Sequence, residues 1–385
     1  MRRLQICLIS QQFGEVKSGV GVYTRNVANR LLDDDHNVTL ICPREKASRD
    51  IPGLQLELVS GQGTGSSHVR WLSLSRRFGR ALRALRQRRR FDLVHFTDAR
   101  EALLCPLRGT LAVGNMNDYY FAAASRNPWA FRADYIDWGV RWAYYNSVRF
   151  LERRALKKLT AVICNSRYTR EKLAGAYHLA AEKLPVIYKS IDLSRYDFQP
   201  SPGDQDDPRI LFIGGNVQRK GLPTLVRAAT VILEALPGAI FVVVGDNQNL
   251  GAMKDLCRRS GVAESFQFLG WQSHDQIQKH YHGASVFVMP SLIEAFGVVF
   301  LEAMAMGVPV IGGDVGGTRE LIQDGINGLL VPARDHRALA RKVLLVLQDE
   351  TVRRDLVQNG LKTVREYGVA KMVEETYALY EKLLG

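Results

Sequence analysis

The chain has 385 residues, 46% hydrophobic and 24% charged; that is an ordinary soluble balance in a length too great for one compact core, so two domains are expected. No apolar run reaches about 18 residues, which argues against a transmembrane helix, and the apolar stretch at the start is broken by Gln5 and followed by Gln11 and Gln12, which argues against a signal peptide. The net charge of +13 is uneven: residues 1–200 hold 33 Lys and Arg against 18 Asp and Glu, a net of +15, and the remainder nets −2, so the front half is expected to meet an anionic partner.

Taken in chain order, Ile6–Ser10, Val38–Cys42, Leu54–Val59, Asp92–Phe96, Leu111–Val113, Ala161–Cys164 and Pro185–Tyr188 read as strands, with helical patterns such as Val22–Leu32 between most of them. Unbroken apolar strands alternating with helices predict a parallel sheet covered on both faces. Residues 197–208, rich in Pro and Asp, read as a linker. The pattern then restarts with strands at Ile210–Gly214, Ile240–Gly245, Phe266–Leu269, Val286–Pro290, Val308–Ile311 and Gly328–Val331. Helices at Leu222–Ala235, Met253–Arg259, Gln276–Tyr281, Val298–Met306 and Ala338–Leu347 lie among them. The prediction is an α/β chain of two doubly wound domains, 1–196 and 209–368, facing each other across a cleft. Residues 369–385 form one more amphipathic helix whose docking site the pattern leaves open.

Five cysteines, Cys7, Cys42, Cys105, Cys164 and Cys257, are scattered singly. Their odd number and spacing give neither a disulfide framework nor a metal motif and point to a reducing, cytoplasmic setting. His280-Tyr281-His282 is not ligand spacing on one helix face, so surface histidines and no bound metal are expected.

Glu302 is the only charged side chain between Ala295 and Gly313. A lone carboxylate among buried residues needs a hydrogen-bonding partner, either from elsewhere in the fold or from a ligand; the alternative is a surface-facing Glu on an amphipathic helix. Glu294 lies eight positions earlier, just before Phe296-Gly297. Backbone N–H groups at a helix opening at Gly297-Val298 would bind a phosphate. Gly214–Gly221 follows another strand and ends in Arg219 and Lys220, a pair suited to a pyrophosphate, or else a solvated basic turn.

The second half resembles the retaining glycosyltransferases with two Rossmann-like domains (the GT-B architecture, family four). It carries Glu, seven residues, Glu as EAFGVVFLE, within PSLIEAFGVVFLEAMAMGVPVIGGDVGGTRELIQDGINGLLVPARD. SGVGVYTRNVANRL, VICNSRYTREKL and VIYKSIDLSRY extend the resemblance forward. It implies that Glu294 binds the donor sugar and steadies its oxocarbenium-like character. It further implies that Glu302 holds the nucleotide ribose, that Arg219 and Lys220 neutralise the diphosphate, and that backbone at Phe296, Gly297 and Val298 holds a phosphate. Gly19 would let the front domain approach the diphosphate; read alone, Gly19 and Gly21 make an ordinary tight turn. No metal or other cofactor is implied. Two positions depart from the family pattern. Asn117 stands where many relatives have the His that contacts the sugar, which puts donor identity and activity in doubt. Asn216 stands where many have Arg.

Val69–Arg90 contains nine arginines. Leu74, Phe78, Ala81, Leu82 and Leu85 fall on one helical face and Arg76, Arg77, Arg80 and Arg83 largely off it. Trp129–Lys158 interleaves aromatics with cations. Both regions fit an anionic bilayer or a lipid-linked acceptor, or one face packs on the sheet and the charges are merely solvated. The expected function is transfer of a sugar from a nucleotide diphosphate to an acceptor. In its membrane-leaning form it acts at the cytoplasmic leaflet on a lipid-linked or lipopolysaccharide-type glycan, with nucleic acid not expected as a partner. The competing expectation is a non-catalytic basic adaptor for membrane or nucleic acid on the same fold. A dinucleotide-dependent oxidoreductase is disfavoured because SGVG is not a strand-preceded GxGxxG.

Overall fold

A computed structural model describes residues 3–13, 19–47, 51–60, 67–119, 138–196, 198, 207–245 and 250–385. Most of the expected linker, 197–208, and the segment 129–137 lie outside the described residues. The chain divides into two compact units: Met1–Tyr188 with Val369–Gly385, and Lys189–Gly368.

In the first unit β1 (Gln5–Ile9), β2 (Asn37–Pro43), β3 (Gln55–Val59), β4 (Leu93–Phe96), β5 (Leu111–Met116) and β6 (Ala161–Cys164) form a sheet in the order β3-β2-β1-β4-β5-β6, parallel throughout. β4 and β6 are buried along their whole length, because helices cover both faces of such a sheet. Pro185–Tyr188 makes only an isolated bridge, Cys164 to Val186. It exchanges two backbone hydrogen bonds with Cys164, too few to continue the sheet beyond β6.

The last helix, Val369–Leu384, belongs to this first unit. Met372, Val373, Tyr377 and Tyr380 join a core with Ile6, Leu8, Val38 and Leu93. The polar groups of the helix find partners there too. The Tyr380 hydroxyl meets His95 Nδ1, Tyr377 meets His36 Nε2 at 3.0 Å, and Arg30 pairs with Glu374 at 2.9 Å. Burial lowers the pKa of His95 to about 4, so it sits neutral between Tyr380 and Asn115, the latter at 2.9 Å.

The second unit repeats the scheme with β7 (Arg209–Ile213), β8 (Ile240–Val244), β9 (Phe266–Gly270), β10 (Val286–Met289), β11 (Val310–Gly313) and β12 (Leu329–Val331), in the order β12-β11-β10-β7-β8-β9. These ladders are parallel as well. The strand order reverses between β7 and β10, which lie side by side. In a doubly wound sheet the crevice beyond the carboxyl ends of two such strands is the place for a ligand. The loops that leave β7 and β10 are Gly214–Gly221 and Pro290–Gly297, the two motifs singled out above.

Glycine makes this junction possible. Gly221, at φ +83°, precedes the helix Leu222–Ala235. A Cβ on it would sit 1.9 Å from the Pro290 carbonyl oxygen, so the two loops touch backbone to backbone only because that atom is missing.

Candidate active site

At this junction the Lys220 ammonium donates to Glu294 Oε2 at 2.5 Å. Both side chains are largely withdrawn from water, 15% and 7% exposed respectively. Ser291 Oγ lies 3.4 Å from the same carboxylate oxygen, and the Ala295 N–H donates to Oε1 at 3.2 Å. Burial pushes the Glu294 carboxyl up. Lys220, then the Arg219 charge and the Phe296 N–H, more than offset that, and its pKa lies below the usual value. Glu294 is therefore a carboxylate, held ready and charge-balanced. The structure thus brings together two residues that the sequence gives separate tasks.

Arg219 reaches the same loop from the other side, its Nη1 donating to the Ile293 carbonyl at 3.3 Å. The Arg219 N–H donates to Asn216 Oδ1 at 3.1 Å. That bond is a local reason for an Asn in this turn: its side chain closes the loop that presents both cations. Phe296 is buried against Tyr367, ring centroids 5.6 Å apart. Gly297, at φ +97°, opens the helix Val298–Ala305 without any side-chain cap. The first N–H groups of that helix thus keep the capacity to bind an anion.

Glu302 lies in the second turn of this helix and is half-buried. Its partner comes from the fold: Tyr281 donates to Oε2 at 3.0 Å, and Tyr196 hydrogen-bonds the same carboxylate. Burial raises its pKa to about 6 despite these two donors and the nearby Arg195 charge. In His280-Tyr281-His282 the histidines lie at the surface as expected, His282 exposed and His280 half-buried, while the Tyr281 between them is fully buried. Ser291, Tyr196 and Tyr281 are the site residues that sequence reasoning misses. The one available signal is the isolation of Glu302, which demands donors without saying which.

Gly19 begins the helix Gly19–Asp33 in the first unit. Asn117 follows β5, half-buried, its carbonyl accepting from Asn165 Nδ2 at 2.9 Å. Beside it Arg100 grips Asp98 through Nε–Oδ1 at 2.8 Å and Nη2–Oδ2 at 2.7 Å, and lies 3.7 Å from Asp118. Glu152, fully buried and bonded by the Tyr177 hydroxyl, is pushed up to about 7 by burial, against the pull of Arg100.

The arginine-rich helix spans Ser67–Arg88. Leu74, Phe78, Leu82 and Leu85 are buried, so its apolar face is used up inside the first unit. Arg76, Arg80 and Arg83 are exposed, while Arg77 is half-buried and donates to the Ser60 carbonyl at 2.6 Å. Arg77 is thus partly a structural residue. The helix Trp138–Lys158 leaves Trp142 and Phe150 exposed at 49% and 58%, with the Arg154 guanidinium 5.6 Å over the Phe150 ring. Among the described residues no helix is long and apolar enough to cross a membrane.

The family model for Glycosyl transferases group 1 matches residues 195–363, and that for Glycosyltransferase Family 4 matches residues 17–195. The chain belongs to the group 1 glycosyltransferases. An uncharacterised glycosyltransferase of Methanocaldococcus jannaschii is 35% identical over 57% of this chain and 59% of its own length. A GDP-mannose-dependent alpha-(1-6)-phosphatidylinositol monomannoside mannosyltransferase of Mycobacterium tuberculosis is 34% identical over 55% and 60%. The match therefore spans about three-fifths of each of these relatives. Among solved structures, sucrose-phosphate synthase from Thermosynechococcus elongatus superposes with a TM-score of 0.80 at 20% identity, covering 98% of this chain and 99% of the other. That likeness establishes the GT-B fold of this glycosyltransferase.

Proposed function

We propose that the chain is a retaining glycosyltransferase that takes a sugar from a nucleoside diphosphate donor held by the second unit and passes it to an acceptor held by the first. The observation that carries this is the Lys220–Glu294 pair at the β7/β10 switch point, beside an uncapped helix start. A diphosphate arriving there takes Lys220 and Arg219 as counter-charges, and the helix N–H groups meet its oxygens. Glu294, released from Lys220, accepts hydroxyls of the sugar and faces the positive charge that grows on its ring as the diphosphate departs. Glu302 accepts the ribose hydroxyls. Because two cations on the chain balance the leaving group, the reaction needs no divalent metal.

The acceptor we propose is a lipid-linked or cell-envelope glycan at the cytoplasmic face of a membrane, with the chain bound peripherally. Exposed Arg76, Arg80 and Arg83 supply positive charge, and exposed Trp142 and Phe150 supply the amphipathic contact that a headgroup region accepts. The mycobacterial relative is itself named for a phosphatidylinositol-type acceptor, in keeping with a basic first unit.

The test is a panel of nucleotide sugars with and without lipid-linked acceptors, in the presence of a chelator. The assay reads nucleoside diphosphate release and the anomeric configuration of the product. Release in chelator with retained configuration is expected. No release from any donor would overturn the transferase reading, and an inverted product would overturn retention alone. Sedimentation with anionic but not neutral vesicles is expected, and loss of that binding in the Arg76→Ala, Arg80→Ala, Arg83→Ala triple variant checks the membrane contact.

A further inference from the structure

Glu302 is a carboxylate with little company of its own charge class. It accepts hydrogen bonds from the Tyr281 hydroxyl of the helix His274–His282 and from the Tyr196 hydroxyl, with the Arg195 charge nearby. Tyr281 is fully buried, and its ring packs against Phe287, 5.8 Å between centroids, so the hydroxyl position is fixed by the core. That hydroxyl has one proton and two acceptors in reach, Glu302 Oε2 at 3.0 Å and the Val299 carbonyl at 3.2 Å. A hydrogen bond to an ionised group is the stronger of the two. With Glu302 ionised the proton therefore points to the carboxylate and locks it in one orientation.

We propose that Tyr281, aided by Tyr196, is a positioning residue that clamps Glu302 and thereby presents its free acceptor capacity to the ribose hydroxyls of the donor nucleotide. This rests on the nucleotide reading of the site given above. A carboxylate without the clamp is free to turn about its own bond, and an acceptor that must be immobilised during binding contributes less. The clamp also acts on the proton. Both tyrosine hydroxyls favour the ionised form of Glu302 against a burial that favours the neutral one. A protonated Glu302 loses one acceptor. Ribose recognition should therefore weaken as pH falls through about 6. Removal of a tyrosine hydroxyl should move that loss to higher pH.

The experiment is titration calorimetry on the full chain with UDP, GDP and ADP to find the nucleotide bound, then with its 2′,3′-dideoxy analogue and with inorganic pyrophosphate, from pH 5.5 to 8. The unmodified chain is expected to prefer the ribonucleotide over the dideoxy form. Tyr281→Phe, which keeps the ring packing, is expected to reduce that preference about tenfold, leave pyrophosphate affinity unchanged and shift the pH of half-loss upward. Tyr196→Phe, at a half-buried position, is expected to do the same to a smaller extent and serves if Tyr281→Phe fails to fold. In a Glu302→Gln background neither Phe substitution should change the preference further. A Phe variant that keeps the full ribose preference and the same pH profile would overturn the assignment while leaving the nucleotide site intact. An unmodified chain that binds none of the nucleotides would overturn the site reading and the clamp with it.

Discussion

Replacement of Lys220 by Ala tests the charge balance at the switch point. At 2.5 Å and an effective dielectric of about 20, the pair attracts by roughly 7 kcal/mol before desolvation is counted. Breaking a buried pair from one side typically costs about 3–5 kcal/mol. Here the Arg219 charge and the Ala295 and Phe296 N–H groups remain on Glu294, which lowers the cost. Protonation sets a second limit. Holding a carboxyl of ordinary pKa 4.5 neutral at pH 7 costs about 3.4 kcal/mol, and at pH 5 only about 0.7 kcal/mol. In the unmodified chain Glu294 has a depressed folded pKa, so its contribution is fully present above 4.5 and is lost only below that. In the variant its folded pKa rises above the unfolded one. The penalty is then present at neutral pH and fades as pH falls toward 4.5. We expect a deficit of about 3 kcal/mol at pH 7, a drop of roughly 9 °C in the melting of the Lys189–Gly368 unit, and a deficit near 1 kcal/mol at pH 5, most of it the remaining protonation cost of about 0.7 kcal/mol and the rest lost packing of the Lys220 stem beside Gly214. Differential scanning calorimetry at both pH values reads this directly. A Glu294→Gln, Lys220→Met double variant should recover most of the pH 7 loss. A deficit equal at the two pH values, or a melting point within about 1 °C of the unmodified chain, would refute the claim that Lys220 balances a buried Glu294. The same variant is expected to transfer sugar more slowly.

Glu302→Ala should weaken nucleoside diphosphate binding by about tenfold or more with little change in pyrophosphate binding, read by calorimetry. Gly221→Ala should cost about 3 kcal/mol or more, since its Cβ meets the Pro290 carbonyl at 1.9 Å. Gly261→Ala, also at positive φ but with nothing within 4 Å, should cost only about 1 kcal/mol; chemical denaturation compares the two. Removal of Val369–Gly385 strips Met372, Val373, Tyr377 and Tyr380 from the first unit's core, on the order of 8 kcal/mol of burial. That is comparable with a domain's whole stability, so circular dichroism should show the first unit unfolded.

The strands were readable where burial on both faces makes them unbroken apolar runs, as in Ile210–Ile213 and Val286–Met289. Pro185–Tyr188 is comparably apolar and forms no strand: its ladder stops at one bridge to Cys164, and Pro185 has no N–H with which to extend it. The last helix was readable as a helix, but its place was not. Its tyrosines complete His36 and His95, partners that lie 341 and 285 residues earlier, and no local pattern carries such a separation. The same limit explains the site. Lys220 and Glu294 stand 74 residues apart, each in a motif that, taken alone, points outward to a ligand. They meet because β10 returns to lie beside β7, a fact of strand order that composition and spacing do not hold. Once that order is known, the pairing follows. Two loops leave adjacent parallel strands at the same end of the sheet, one carries the cations and the other the acid, and a buried acid at that distance must take a cation. The two loops are thus joined by an internal ion pair. Under the function proposed above, a diphosphate binding there would compete with Glu294 for Lys220, and its arrival would be coupled to release of the carboxylate assigned to the sugar.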